Sequence, residues 1–301
     1  MVDPAWDRLA AWRDRQMGED GDLWHRAIID PVLLDVLGPV RGLRVLDLAC
    51  GNGYLTRRFA RDGAARSVGV DRSTRTLAFA RRRERRLSTG AEFRQADSAH
   101  LVRFADGSFD RVVANMALMD LPDLDRTVRE VGRVLAPDGH FVFSIGHPCF
   151  DLDDRSLWEI ERRPYENPGT VWRKVSRYQE ERVGRAPWRL PDGSFVYTRS
   201  YHRTLATYVR CLRAAGLALV RLEEPRPLPE AVAGSTQGPF LLDVPLHLVG
   251  EAVAGRVPGV DRLRSGSRTS GRSPSRGSPR SGSARRKRGS SSARPGSSPG
   301  S

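Results

Sequence analysis

The sequence predicts an α/β protein built on a doubly wound sheet of seven strands. Short apolar runs alternate with helix-like segments from residue 43 to residue 145, a pattern typical of a parallel sheet with helices on both faces. The alternation stops at an insertion over 147–200, which is rich in Arg, Trp, Tyr and Pro. From residue 262 onward the chain is mainly Ser, Gly, Pro and Arg. This composition buries too little apolar surface to fold, and it predicts a disordered tail.

The first five strands and their helices follow from the alternation. Apolar runs predict strands at 43–48, 67–71, 91–97, 109–116 and 140–145. Amphipathic stretches predict the intervening helices at 54–62, 73–87 and 122–135. The turn Pro137-Asp138-Gly139 ends the third of these helices.

Two further strands complete the predicted sheet after the insertion, in which 194–201 is the clearest short strand. A helix is predicted at 204–215, with Gly216 ending it. Strands follow at 217–224 and 239–249, and the Pro-rich connection between them shows no helix pattern. The seventh strand is therefore expected to run antiparallel to the sixth.

The charge of the chain is concentrated at its C-terminus. The 301 residues carry a net charge of +14, and residues 261–301 hold eleven basic side chains and one acid, so residues 1–260 carry only +4. The high pI thus describes a basic tail, predicted over 251–301, more than the folded surface. Such a tail binds nucleic acid weakly whatever its purpose.

Several classes of protein are disfavoured by the sequence. No run of about 18 apolar residues predicts a membrane span, and the first residues lack the apolar core of a signal peptide. Cys50, Cys149 and Cys211 are far apart and show no metal-binding spacing, so neither a disulfide framework nor a metal site is predicted. We expect a cytoplasmic protein without a membrane partner.

The segment VLDLACGNG, residues 45–53, carries the main functional signal. A strand ending near Asp47 leads into a glycine-rich loop, and Asp71 closes the next strand 18 residues after Gly53. That spacing suits a carboxylate that accepts hydrogen bonds from a ribose. A dinucleotide site would need the third glycine of G-x-G-x-x-G, which is absent, and Asp47 would repel a pyrophosphate. The loop therefore favours S-adenosylmethionine, whose amino acid end is cationic, over a nicotinamide cofactor.

Over residues 41–250 the chain resembles the class I S-adenosylmethionine-dependent methyltransferases, which have a Rossmann-like fold. The resemblance rests on VLDLACGNGYLTRRFA, on Asp71, on Asp97-Ser98 and on the segment 109–145 with its L-x-P-x-G turn. It implies a cofactor site formed by Asp47, Ala49, Cys50, Gly51, Asn52, Gly53, Asp71, Arg72, Asp97, Ser98, Asn115 and Met116.

The resemblance also implies individual roles in this site. Asp47 and the loop would organise the methionine end of the cofactor, with Ala49 standing where the family has a glycine. Asp71 would hold the ribose, and Asp97 and Ser98 the adenine. In similar proteins, N-terminal helices such as those predicted over 1–40 cover the cofactor.

The methyl acceptor is less well specified. Methyl transfer mainly requires alignment of a nucleophile with the methyl group, and a general base is needed only if the acceptor arrives protonated. His147 follows the fifth strand, and Tyr201 and His202 precede the next helix. These three residues are the candidates for the wall of the acceptor pocket or for a general base. The alternative is that they only make structural hydrogen bonds.

The sequence thus predicts a methyltransferase that acts on a small or moderate-sized organic molecule. One alternative is an RNA methyltransferase tethered by the basic tail and by the arginine-rich helix at 73–87. A second is a protein that binds S-adenosylmethionine without catalysis, and the third, disfavoured by the missing glycine, is a nicotinamide oxidoreductase.

Overall fold

A computed structural model of the chain describes residues 4–151, 155–161, 170–234 and 238–254. Its strands, in chain order, are β1 (Arg44–Leu48), β2 (Arg66–Asp71), β3 (Glu92–Gln95), β4 (Phe109–Asn115), β5 (Leu135–Gly146), β6 (Ser156–Glu161), β7 (Thr170–Val175), β8 (Arg182–Arg189), β9 (Phe195–His202), β10 (Leu217–Glu223) and β11 (His247–Ala254). Seven of them form one sheet, in the order β10-β11-β5-β4-β1-β2-β3.

The predicted fold class is confirmed by this sheet. Strands β1 to β5 pair in parallel, with β1 at the centre between β2 and β4. The last strand, β11, lies between β5 and β10 and runs antiparallel to both. The carboxyl ends of β1, β2 and β4 therefore meet at one edge of the sheet, where ligands bind in folds of this kind.

The last strand of the sheet lies later in the chain than predicted. The apolar run predicted as strand 239–249 divides into a 3₁₀ helix, Gly238–Leu242, and the first residues of β11. Leu241 is buried in a cluster with Ile28 and Ala231 instead of joining the sheet. β11 also extends four residues into the segment predicted as tail, because Glu251, Ala252 and Val253 pair with β5.

The helices, in chain order, are α1 (Pro4–Met17), α2 (Asp30–Leu37), α3 (Tyr54–Arg61), α4 (Thr74–Leu87), α5 (Leu124–Val134), α6 (Leu205–Ala214) and α7 (Pro229–Gly234). Side-chain oxygens cap α4, α5 and α6: Ser73, Asp123 and Thr204 each accept a hydrogen bond from a backbone amide of the first turn. The short helix α7 lies in the connection for which no helix was predicted. The prediction that the last strand runs antiparallel is correct. Its premise, a connection without a helix, is wrong.

The two faces of the sheet carry different parts of the core. Alternate residues along a strand point to opposite faces. Leu46 and Val112 belong to the cluster that includes α5 and α6. Their neighbours Val45 and Val113 belong to a second cluster, which includes Phe59 of α3 and residues of α2. Helices thus cover both faces, as the alternation of segments predicts.

The insertion contains two hairpins, β6–β7 and β8–β9. Helix α1 packs on the second hairpin, where Leu9 and Val196 are buried together. On another side, Arg83 of α4 donates to Asp14 of α1, with Nε 2.6 Å from Oδ1. Packing and charge therefore hold α1 between β9 and α4.

None of the helices in the described part of the chain is long and apolar enough to cross a membrane. Most of the predicted tail, residues 255–301, lies outside the described residues. The same is true of 152–154 and 162–169 in the insertion and of 1–3 in the N-terminal segment.

Candidate functional site

The loop that follows β1 is shaped by three residues with positive φ. Ala49 has φ 52°, Gly51 57° and Gly53 75°, values that favour glycine because a Cβ crowds the backbone there. Ala49 holds this conformation although it is not glycine, which explains why the related motif has a glycine at its position. The loop then enters α3 with Gly53 as the N-cap.

Asp71, at the end of β2, ties this loop to the next one. Its Oδ2 accepts a hydrogen bond from the Gly51 amide at 3.0 Å, and its Oδ1 accepts one from the Ser73 amide at 2.9 Å. Burial raises the pKa of Asp71 to about 6, and these hydrogen bonds oppose that rise. The carboxylate is thus fixed in place by two backbone donors.

Asp47 is a second buried acid next to the loop. It is 3% exposed, and Thr56 of α3 donates to its Oδ2 at 2.6 Å. Burial raises the pKa of Asp47 to about 7, although the Thr56 hydrogen bond lowers it. Within the described residues, no arginine or lysine forms an ion pair with Asp47 or Asp71. Because buried carboxylates without a cation cost free energy, this pair of acids suits a cationic ligand.

These residues open onto a cavity of about 390 Å³ at the carboxyl edge of the sheet, which we call the first cavity. Ten of the twelve residues predicted to bind the cofactor line it: Asp47, Ala49, Cys50, Gly51, Asn52, Asp71, Arg72, Ser98, Asn115 and Met116. Helix α1 contributes further lining residues, among them Trp6, Arg13 and Asp14. The cavity therefore lies between the sheet edge and the N-terminal helix.

The remaining two predicted residues, Gly53 and Asp97, are not among the residues that line the cavity. Gly53 packs against the ring of Phe93 behind the loop. Asp97 accepts a hydrogen bond from the Ala99 amide at 3.0 Å, and its Oδ2 is 3.6 Å from Nε of Arg72. Both are one residue from lining residues, so they border the first cavity and shape its loops.

The three candidates for an acceptor wall or base have different environments. His147 is 3% exposed and has both ring nitrogens engaged, since Nδ1 accepts from the Cys149 amide at 3.1 Å and Nε2 donates to Glu224 at 3.0 Å. His202 donates from Nε2 to the Tyr178 carbonyl at 2.8 Å. These contacts occupy both ring nitrogens of His147 but only one of the two in His202.

Tyr201 lines the first cavity and an adjoining one, whereas His202 lines only the adjoining one. This second cavity has a volume of about 290 Å³. The two cavities share wall residues from several segments of the chain: Trp6, Arg13, His25, Met116, Asp120 and Tyr201. The indole rings of Trp24 and Trp188 add further aromatic surface to the second cavity.

Three polar residues at or beside these cavities, Asp22, His25 and Asp30, were not among the predicted site residues. Asp22 and His25 form a pair with Oδ1 2.7 Å from Nδ1. Asp30 accepts hydrogen bonds from Tyr54 and Asn115, both at 3.0 Å, and so fixes the side chain of Asn115. No motif marks these residues, because they come from a segment that precedes the first strand. An acid three residues before a histidine in a helical segment was the one available signal.

Among the described residues, no group of three or more His, Cys, Asp or Glu side chains is arranged to hold a metal ion. The lining of the first cavity is instead suited to an organic ligand. It offers carboxylates, backbone amides and an apolar floor.

Comparison with known proteins agrees with this geometry. A family model described as a methyltransferase domain matches residues 46–143. The chain is 31% identical to an S-adenosylmethionine-dependent methyltransferase from Mesorhizobium loti whose crystal structure is known. The match covers 74% of this chain and 96% of that one, with a TM-score of 0.61.

Two curated relatives are similar over a shorter stretch. A ubiquinone biosynthesis O-methyltransferase from Alkalilimnicola ehrlichii is 33% identical over 120 residues, which is 38% of this chain and 48% of the relative. A fatty-acid O-methyltransferase from Mycolicibacterium smegmatis is 36% identical over 124 residues, which is 40% of this chain and 42% of the relative. The chain thus matches less than half the length of these two proteins.

Proposed function

The chain belongs to the S-adenosylmethionine-dependent methyltransferases, and from this premise we propose that it methylates a small or moderate-sized organic molecule. The observation that carries the proposal is the pair of adjoining cavities. The first is lined by the residues of the family motif, and the second by aromatic side chains. A methyl donor in the first and an acceptor in the second would meet at the residues that the cavities share.

The residues of the first cavity fit S-adenosylmethionine. Its ammonium and sulfonium groups are cationic, and Asp47 and Asp71 are buried acids without a cationic partner in the described part of the chain. Asp71 would accept hydrogen bonds from the ribose, and Asp47 would favour the ammonium group through the loop. Ser98 and Asp97 would contact the adenine.

When bound, S-adenosylmethionine supplies a methyl group already activated by the sulfonium. The contribution of the chain is then to align the acceptor in line with that methyl group and to exclude water. Asn115 and Met116, at the end of β4, line the first cavity near the shared wall. Trp6 of α1 borders both cavities and would help to cover the reacting groups.

A small acceptor is better supported than RNA. Three of the arginines of α4 contact an acid of α1 or of the segment just after it: Arg83 and Arg82 lie at Asp14, and Arg86 lies at Glu19. These three arginines therefore help to hold α1 in place. The two curated relatives are named for O-methylation of a fatty acid and for ubiquinone biosynthesis, which also supports a small organic acceptor.

All three cysteines are unpaired, in keeping with the cytoplasmic location that we propose.

Calorimetry of the full-length chain tests the cofactor. We expect micromolar binding of S-adenosylmethionine and S-adenosylhomocysteine, and no binding of NADH. Failure of both sulfur ligands to bind would contradict the proposal. Steep salt-dependent binding of RNA, lost on removal of 262–301, would favour the RNA alternative. Binding of the cofactor without methyl transfer to a broad set of small molecules and RNA would favour the non-catalytic one.

A further inference from the structure

The Asp22–His25 pair lies where the two cavities meet. His25 lines both cavities, and Asp22 lines the second one. Asp22 Oδ1 is 2.7 Å from Nδ1 of His25 and also accepts a hydrogen bond from the His25 amide at 3.1 Å. Two contacts with one carboxylate thus fix both the backbone and the ring of His25.

The partner of Nδ1 determines which ring nitrogen of His25 is available. Burial opposes ionisation of Asp22, but its hydrogen bonds from His25 and the charge of Arg13 outweigh it and hold the pKa of Asp22 well below its usual range. An ionised Asp22 can only accept, so Nδ1 carries the proton. Nε2 then has a free lone pair, and it has no hydrogen-bond partner among the described residues.

The backbone around His25 supports a functional position independently of these hydrogen bonds. Residues His25–Ile29 form a π-helical turn that runs directly into α2. Such turns are rare and are frequently found at functional sites, because the extra residue shifts the preceding side chains relative to a regular helix.

Other charged and titratable groups around His25 come from four elements. Asp30 lies on α2, Arg13 on α1, Tyr54 on α3 and His247 on β11. The rings of His25 and Tyr54 meet edge to face at 5.9 Å. Burial lowers the pKa of His247 to about 4, so His247 is neutral at physiological pH.

The walls of the second cavity indicate the shape of its ligand. Trp6, Trp24, Trp188 and Tyr201 contribute aromatic surface, and the lining also includes five charged residues: Arg13, Asp22, Asp120, Asp151 and Arg203. Indole and phenol rings pack best against other flat rings, by offset stacking or edge-to-face contact. Since His247 is neutral, it adds a polar edge without a charge. The aromatic part of this lining favours a planar ring, and the charged and polar groups around it suit polar substituents on that ring.

We propose that His25 is the general base for methylation of an aromatic hydroxyl group, with Asp22 as its positioning residue. The proposal rests on the methyltransferase function proposed above and specifies its acceptor as a planar phenol. The second cavity binds the ring, and the hydroxyl group lies at the shared wall beside His25.

The reaction balances without a further reactant. The acceptor hydroxyl gives its proton to Nε2 of His25, and the electron pair on the oxygen forms the bond to the methyl carbon. The carbon–sulfur bond breaks, and its electron pair stays on sulfur, which becomes a neutral thioether. His25 then holds the positive charge, stabilised by Asp22, and releases the proton to solvent.

The tautomer of His25 gives a first test that requires neither cofactor nor acceptor. We expect nitrogen-15 NMR of the full chain, with His25 assigned through its backbone, to show protonated Nδ1 and bare Nε2 at neutral pH. In Asp22→Asn we expect this preference to be lost, because the amide can donate to Nδ1. A wild-type His25 protonated on Nε2 alone would overturn the proposal.

The acceptor class is tested with p-nitrophenol, whose phenol and phenolate forms differ in visible absorption. In the presence of S-adenosylhomocysteine, we expect wild type to bind the probe and to increase its ionised fraction, because His25 takes the proton. In His25→Asn, the bound probe should ionise at least about threefold less, since the base is lost. Absence of probe binding to wild type, or equal ionisation in both proteins, would overturn the proposal.

The control is the pair Asp97 and His100, which has the same spacing but is more exposed, with Nδ1 3.9 Å from the carboxylate. His100→Asn should behave like wild type with the probe. Calorimetry with S-adenosylmethionine separates the two proposals: if wild type does not bind it, the proposed function fails, whatever the tautomer of His25. If His25→Asn loses more than about tenfold in that affinity, His25 contacts the cofactor itself and is not the base.

Discussion

The two cavities share one wall but differ in charge and in how they are assembled. The first is formed by loops at the ends of adjacent strands together with α1, and its buried polar groups include the acids Asp47 and Asp71. The second is assembled mainly from α1, the segment before α2, the segments after β4 and β5, the β8–β9 hairpin and β11, and it combines aromatic with charged side chains. The first cavity thus presents two buried acids to a ligand, whereas the second presents aromatic rings beside charged groups of both signs.

This difference predicts different consequences of substitution. The shape of the first cavity depends on the backbone conformation of its loops and on hydrogen bonds between a carboxylate and backbone amides at one edge of the sheet. The second depends on packing between segments that are distant in sequence, such as Trp6 against Trp188 at 5.7 Å between ring centroids. Changes in one region should therefore leave the other largely intact.

The largest expected effect is on the loop of the first cavity. Gly53→Ala places a Cβ at φ 75° and against the ring of Phe93, so we expect a loss of about 2–5 kcal/mol in the free energy of unfolding. Urea denaturation measures it. Gly51→Ala is the matched control, because its Cβ meets nothing within 4 Å and it should lose only about 1–2 kcal/mol. Equal losses would show that Phe93 moves aside.

A somewhat smaller effect is expected at the aromatic wall. Trp188 packs against Trp6 and Trp12, and its Nε1 donates to Thr198 at 2.8 Å. Because Trp188 is only partly buried, Trp188→Ala should cost about 2 kcal/mol of unfolding free energy, less than a core tryptophan. The affinity for S-adenosylmethionine should stay within about twofold of wild type. The control Trp172→Ala, at a side chain 51% exposed, should change stability by less than about 0.5 kcal/mol. A Trp188→Ala variant that loses cofactor binding would contradict the separation of the two regions.

The fold was predictable where local pattern and topology agree. The alternation of apolar runs and helical segments places β1 to β5, and β11 is antiparallel as expected. The prediction of a strand at Phe240, Leu241 and Leu242 was wrong, because an apolar run fits a strand or a buried helical turn equally well. Only the apolar pocket around Ile28 and Ala231 decides between them.

The two cavities differ in the same way in how far the sequence predicts their residues. The residues predicted for the first cavity are contiguous or follow strands, so spacing along the chain indicates spacing in the fold. His25 could not be ranked above His147 or His202, because its role depends on where α2 and its preceding turn pack. Conversely, the edge of the sheet suggested His147 as a base, whereas the Cys149 amide and Glu224 occupy its ring nitrogens.

The ribose assignment gives the next prediction. Asp71→Ala should weaken binding of S-adenosylmethionine by about 1–3 kcal/mol, roughly 5- to 150-fold in Kd, through lost charge-assisted hydrogen bonds. It also leaves the amides of Gly51 and Ser73 without their acceptor. Calorimetry measures the change. Asp62→Ala removes an acid that is half exposed and 3.5 Å from Arg58, and it should bind normally. Unchanged affinity in Asp71→Ala would show that another group holds the ribose.

The smallest effect is the pH dependence of cofactor binding. In the unliganded chain the pKa of Asp47 is about 7 and that of Asp71 is about 6, above the ordinary value of 3.8. The folded protein therefore binds protons between pH 4 and 7 that the unfolded chain does not, and these acids contribute less to stability as pH rises through that window. A bound cation reverses this, because it favours the ionised carboxylates.

Affinity for S-adenosylmethionine should accordingly fall about tenfold to twentyfold from pH 8 to pH 6, chiefly because Asp47 must lose a proton on binding. The rise in melting temperature caused by the ligand should shrink over the same range. Methylthioadenosine, which has the ribose but no ammonium group, should retain only the contribution of Asp71, about twofold. The same is expected for S-adenosylmethionine with Asp47→Asn. If methylthioadenosine shows the full dependence, Asp47 does not sense the ammonium group, and the charge of the first cavity acts mainly through Asp71.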